Sequence, residues 1–167
     1  MLPSHVPRKV CLIGASAVGK TSLVSRFVRG QFSERYLTTL GVKLDRKTVD
    51  VGAATLDLVL WDLNGEDRFQ AFQIDRLRGA AAFLLVADGT RRATFEEALD
   101  LHARVTDAYG PLPFVLALNK ADLDAEWALR DDDLAPLSAT GWPVARTSAR
   151  SGAGVEAAFR TLAQRLA

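Results

Sequence analysis

With 167 residues, 49% of them hydrophobic and 25% charged, the chain has the size and make-up of one soluble domain. Such a chain buries about 70% of its unfolded surface without needing disulfide or metal staples. A formal net charge of +1 excludes the basic field that nucleic acid or an anionic membrane surface would select. The single cysteine, Cys11, cannot close an internal disulfide. It lies in an apolar run and reads as a small buried hydrophobe, which fits a reducing, cytoplasmic setting. No run approaches the roughly 18 apolar residues of a membrane span. The opening MLPSHVPRKV lacks a signal-peptide core, Leu2 is no myristoyl acceptor, and TLAQRLA carries no prenylation cysteine. No stable membrane anchor is expected.

In chain order, VCLIG is the first of three nearly continuous apolar runs, with AAFLLVA and FVLALN following later. None of them alternates, as expected of parallel strands buried on both faces. After the first run, KTSLVSRFVRG predicts a helix with Leu23, Val24, Phe27 and Val28 on one side, stopped at Gly30. Residues 42–61 differ: VKLDRKTVDV and TLDLVLWD flank a short turn at Gly52, and Leu56, Leu58 and Leu60 alternate with Thr55, Asp57 and Val59. That pattern predicts an antiparallel hairpin. Phe95, Ala98, Leu99, Val105 and Tyr109 predict a second helix, and Val155, Phe159, Leu162 and Leu166 a terminal one. Asp131, Asp132 and Asp133 read as a solvated turn or helix start, Trp127 and Trp142 as packing residues, and His5 and His102 lack metal-ligand companions. Strands alternating with helices predict one α/β domain over residues 1–167, without linker or repeat. Its sheet is expected to have six strands, mostly parallel, with one antiparallel edge strand and helices on both faces.

Between the first strand and the first helix lies GASAVGKT, Gly14 to Thr21, a match to G-x-x-x-x-G-K-[ST] and so to a P-loop NTPase fold. Gly14 and Gly19 permit backbone angles that turn successive N–H groups inward around a phosphate, and the helix start adds its positive end. Lys20 supplies a point charge to the outer phosphates, and the Thr21 hydroxyl is a Mg²⁺ ligand. Ser16, Ala17, Val18 and Ser22 complete the phosphate-facing stretch. Kinases, ATPases and GTPases share this cradle, so the base must be read elsewhere.

LALNKADL, with Asn119, Lys120 and Asp122 after a predicted strand, resembles the guanine-reading motif of Ras-like small GTPases. The resemblance implies that Asp122 accepts two hydrogen bonds from guanine, a pairing that adenine cannot offer. RTSAR, with Ser148, Ala149 and Arg150, is similar to the family's S-A-K loop, whose Ala amide faces the guanine oxygen. Phe32 stands where the family has an aromatic edge against the base. Thr39, in YLTTLGV, stands where the first switch segment ligates Mg²⁺ and meets the γ-phosphate. WDLNG resembles the second switch, which implies that Asp62 is a Mg²⁺ partner, directly or through water, and Gly65 the γ-phosphate amide donor. Five motifs in register cover residues 8–166. TLGV, WD and RF lean toward the Rab branch and suit the Rab-like GTPases of bacteria, to which the Ala- and Arg-rich composition also points.

What the resemblance implies is a guanine-nucleotide switch that binds GTP or GDP with Mg²⁺ and hydrolyses GTP, signalling through both switch segments. The family's Gln after D-x-x-G is here Glu66. A carboxylate accepts from water but cannot donate to phosphate oxygens. At about 4 Å from a γ-phosphate it would be repelled by about 4 kcal/mol at an effective dielectric near 20, less the screening by Mg²⁺ and Lys20. Swinging outward leaves the attacking water without its positioning group. Asn64 replaces the family's small Ala and could supply part of that role. Slow hydrolysis is therefore expected, with Glu66, Gly65, Lys20 and Asn64 as the catalytic set; the bland alternative is Glu66 as a tolerated solvent-facing variant. Arg35, Arg68 and Arg76 flank the switches and read as solvated or partner-facing charges. Of the three aromatics that Rabs place across the switches, Trp61 is kept while Leu44 and Leu77 hold the others, so the effector, exchange factor and activating protein are not transferable. Two rivals from other classes are a GTP-holding module without useful turnover and a P-loop metabolite kinase.

Overall fold

The computed structural model describes residues 6–28, 36–37, 42–63 and 70–167. A seven-stranded sheet runs in the order β2-β3-β4-β1-β5-β6-β7. Its strands are β1 (Pro7–Gly14), β2 (Tyr36–Leu37), β3 (Lys43–Asp50), β4 (Thr55–Asp62), β5 (Ala82–Asp88), β6 (Phe114–Asn119) and β7 (Val144–Arg146). The pairs β4–β1, β1–β5, β5–β6 and β6–β7 are parallel, while β3 is antiparallel to both its neighbours. The six expected strands are present, and the two-residue β2 adds a seventh beyond β3 at the edge.

The absence of alternation in β1 has a direct cause. Val10 and Leu12 enter one apolar cluster, whereas Cys11 and Ile13 enter another on the opposite face. The first cluster receives Leu23, Val24, Phe27 and Val28 of α1 (Lys20–Val28) and Val155, Phe159 and Leu162 of α5 (Val155–Gln164). Phe27 and Phe159 stack there with ring centroids 4.0 Å apart. The second cluster receives Phe95, Ala98, Leu101 and Val105 of α3 (Arg92–Tyr109) and Leu137 of α4 (Asp131–Ala139). In β4 the residues Leu56, Leu58 and Leu60 are buried and Thr55, Asp57 and Val59 only partly so, as the alternation predicts. Gly52, at φ +87°, turns the hairpin and donates its N–H to Asp50 Oδ1 at 2.8 Å.

Three elements carry weak signals in the sequence. α2 (Gln70–Arg76) is only seven residues long. α4 contains Pro136; it begins at the acidic triplet, where Asp133 Oδ2 accepts the Arg130 N–H at 2.8 Å. β7 has three residues, none fully buried. Trp127 and Trp142 pack against the second cluster, as expected. Trp127 packs on Gly89, where an added Cβ would fall 2.0 Å from the ring. His102 sits between Phe114 and Trp142, with centroids 4.6 and 4.2 Å away. Gly30 and His5 lie outside the described residues.

Candidate functional site

Gly14, Asp62, Asp88 and Asn119 end β1, β4, β5 and β6, so four functional groups stand along the carboxyl edge of the sheet. The order reverses around β1, which goes to β4 on one side and β5 on the other; open α/β sheets place their ligand crevice at such a switch point. The loop from Gly14 to Gly19 bends here. Ala17 and Gly19 have φ of +60° and +102°. A Cβ on Gly14 would lie 2.3 Å from the Val86 carbonyl oxygen, and one on Gly19 would lie 2.2 Å from Asn119 Nδ2. Both positions need glycine because backbone and side chain from elsewhere approach so closely.

Lys20, the first residue of α1, is 2% exposed. Its Nζ donates to the carbonyls of Gly14 (2.7 Å) and Ala15 (3.0 Å). Burial lowers its pKa to about 8, against the attraction of Asp62. Thr21 donates its hydroxyl to Asp62 Oδ2 at 2.6 Å. Burial raises the pKa of Asp62, opposed by that hydrogen bond and by Lys20. Asp62 Oδ1 is buried without a partner among the described residues. A carboxylate with one orphaned oxygen, a hydroxyl on the other and a phosphate loop beside it is a donor set suited to a hard divalent cation. No cluster of three acidic, histidine or cysteine ligands exists among the described residues. That is compatible with Mg²⁺, which keeps several waters and shares phosphate oxygens with few protein ligands.

The other half of the site is organised by Asn119, 2% exposed. Its Nδ2 donates to the Val18 carbonyl (2.9 Å), and its Oδ1 accepts from Thr147 Oγ1 (3.1 Å) and the Ala149 N–H (3.3 Å). One amide thus ties the phosphate loop to the loop after β7. Lys120, at φ +69°, reaches back to the Ala17 carbonyl (3.1 Å) and to Asp88 Oδ2 (2.9 Å). Ser148 donates to Asp122 Oδ1 at 2.8 Å. Between these loops opens a cavity of about 340 Å³ lined by Gly19, Ser22, Asn119, Lys120, Asp122, Leu123, Ala149 and Arg150. Its walls offer a carboxylate, an amide N–H and an aliphatic lysine stem, enough to orient one flat polar ring.

The structure therefore brings together Gly14, Ser16, Ala17, Val18, Gly19, Lys20, Thr21, Ser22, Asp62, Asn119, Lys120, Asp122, Ser148, Ala149 and Arg150 around one crevice. Phe32, Thr39, Asn64, Gly65 and Glu66 lie outside the described residues, as do Arg35 and Arg68. Arg76 stacks on Phe72, its guanidinium 4.4 Å from the ring centroid. Leu44 and Leu77 are buried, and Lys9 Nζ lies 4.0 Å over the Trp61 ring.

Four residues that the sequence motifs do not mark, Asp88, Arg91, Arg26 and Gln73, join the site. Asp88, 1% exposed, accepts from Thr90, Lys120 and Arg91, and Arg91 also donates to the Ser16 carbonyl at 2.8 Å. An acid ending a buried strand is a signal that could have found Asp88. Arg26 of α1 donates to the Ala149 carbonyl (2.9 Å) and to the Arg150 carbonyl, and Gln73 of α2 reaches Gly14. Neither carries a local signal.

The family model described as Ras family matches residues 9–167. The chain belongs to the Ras family. It is 36% identical to the Ras-related protein RABA2d of Arabidopsis thaliana over 92% of this chain and 72% of that protein. It is 34% identical to the Ras-related protein SEC4 of Saccharomyces cerevisiae, over 93% and 73%, and 33% identical to the Ras-related protein Rab-13 of Canis lupus familiaris, over 93% and 78%. These relatives place this Ras-family chain in the Rab or Rab-like branch. Membership carries the family's activity: a GTP- and GDP-binding switch that hydrolyses GTP. Among the described residues no helix is long and apolar enough to cross a membrane, and Cys11 is buried, its thiol pKa pushed up to about 12 by that burial.

Proposed function

We propose that residues 1–167 form a single small-GTPase domain in which the carboxyl edge of the sheet holds guanine nucleotide and Mg²⁺, and hydrolysis is slow. The observation that carries the reading is the crevice running from the phosphate loop at Gly19 to Asp122 and Ala149. Gly14 to Gly19 would wrap the diphosphate with backbone N–H groups, Lys20 would meet the outer phosphates, and Asp122 and the Ala149 N–H would read the guanine edge. Lys120 and Phe32 would flank the base, with Ser148 holding Asp122 and Arg150 closing the rim.

Thr21 and Asp62, joined by Thr39, would hold Mg²⁺. When bound, the ion would supply positive charge to the outer phosphates. Thr39 and Gly65 are assigned to the γ-phosphate, so that loss of that group releases both switch segments. Effector, exchange-factor and activating proteins would meet this surface in the cytoplasm. A nucleic-acid partner has no support in a net charge of +1.

Glu66 and Asn64 set the rate in this reading, since neither reproduces the Gln geometry that orients water and donates to phosphate. Chromatography of bound nucleotide, followed by single-turnover GTP cleavage with Mg²⁺, tests the proposal. The expected result is GDP and inorganic phosphate formed slowly. GTP left uncleaved after long incubation would favour the GTP-holding module, and phosphate passed to a small acceptor would favour a kinase.

A further inference from the structure

β4 accompanies β1 only to its end: Leu12 is in register with Asp62, and the Leu63 N–H donates to the Leu12 carbonyl at 3.3 Å. Gly14, two residues on, directs its own N–H and C=O to the same side as Leu12, because successive residues of a strand alternate sides. There the strand partner has already departed, so the N–H would be buried without a hydrogen bond and the carbonyl would keep only Lys20 Nζ. Gln73 of α2 supplies the missing partner. Its Oε1 accepts the Gly14 N–H at 3.0 Å and its Nε2 donates to the Gly14 carbonyl at 3.2 Å. A side-chain carboxamide, 3% exposed, thus extends the β-ladder by one residue.

Two further contacts hold α2 in place for this. The Tyr109 hydroxyl donates to the Ile74 carbonyl at 2.6 Å, and the Cys11 thiol lies 3.7 Å from the Arg76 carbonyl. The Gly14 carbonyl that receives Gln73 also receives Lys20 Nζ at 2.7 Å. A continuous line of hydrogen bonds therefore runs from α2 through one peptide group to the ammonium of the phosphate loop.

We propose that Gln73 is a positioning residue for the outer phosphates: by completing the ladder at Gly14 it fixes the carbonyl that aims Lys20, and it makes the grip on those phosphates depend on the place of α2. The inference rests on the reading of Lys20 as a phosphate ligand.

The test compares GDP with GMP, which lacks the phosphate assigned to Lys20, in competition against a fluorescent GDP on the full chain. Gln73→Met keeps the volume and removes both hydrogen bonds. It is expected to weaken GDP roughly tenfold while moving GMP less than twofold, the loss of a buried polar pair felt only through Lys20. Gln73→Glu keeps the acceptor for the Gly14 N–H but turns an oxygen toward the Gly14 carbonyl, and is expected to lower the GDP-to-GMP ratio at least as much. Should the Met variant fail to fold, the Glu variant carries the same comparison. A folded variant that weakens GDP and GMP equally, or weakens neither, overturns the proposal. A parent protein that binds GMP as tightly as GDP would instead refute the phosphate role of Lys20.

Discussion

Replacing Asn119 by Ala removes the node on which both halves of the site hang. Three contacts disappear, to the Val18 carbonyl, Thr147 Oγ1 and the Ala149 N–H. The residue is 2% exposed, so water replaces these partners poorly. At about 1 kcal/mol for each buried hydrogen bond, the total is about 3 kcal/mol. Because bonds that order the loops contribute both to the fold and to binding, the loss divides between two measurements. Part lowers the stability of the nucleotide-free protein; the rest appears as affinity, since GDP must then order loops that Asn119 held in advance. Urea unfolding of the empty protein and a fluorescent-GDP titration measure the two parts. Their sum is expected near 3 kcal/mol, equivalent to roughly a hundredfold if all of it fell on binding. A sum below about 1 kcal/mol, with the fold intact, would refute the claim that this amide joins the phosphate and base loops.

Other outcomes follow from the same geometry. Burial lowers the Lys20 pKa to about 8, and a bound phosphate would raise it. Binding then takes up a proton above that pH, so GDP affinity should fall about tenfold between pH 7 and 9, read by titration calorimetry in buffers of different ionisation enthalpy. Glu66→Gln should cleave GTP faster than the parent in single-turnover assays, and equal or slower cleavage would remove Glu66 from the account. At Asp88, burial pushes the pKa up but hydrogen bonds from Thr90, Lys120 and Arg91 outweigh it, leaving a value of about 2. A depressed carboxyl pKa contributes stability that is present above the ordinary carboxylate range and lost as pH falls from about 4 to about 2. Asp88→Asn should therefore cost at most about 2 kcal/mol at pH 7 in denaturant unfolding, a difference that closes toward pH 2.

The parts of the molecule legible in its sequence are those whose cause is local. β1, β5 and β6 announce themselves because both their faces meet apolar clusters, and β4 because only alternate residues do. α1, α3 and α5 carry an apolar stripe that the sheet requires. α2 and β7 are too short for a period to develop, and in α4 only Leu137 is buried. The site divides in the same way. From Gly14 to Thr21 the chemistry lies in consecutive residues, whereas Asn119 and Asp122 gain meaning only when a phosphate loop precedes them. Arg26 and Gln73 look like ordinary surface residues of helices. Their partners lie 123 and 59 residues away in the chain, and only the fold brings them together.

The central claim is that a carboxylate at Asp122 and an amide at Ala149 choose the purine while the loop at Gly14–Gly19 holds its phosphates. Measuring the dissociation constants of GDP and ADP side by side, with Mg²⁺ and on protein stripped of nucleotide, tests it most directly. The account predicts that GDP binds at least a thousandfold more tightly, because ADP would leave a desolvated carboxylate unpaired, a mismatch that typically costs about 10⁴-fold. Comparable affinities for the two, or no binding of either, would contradict it.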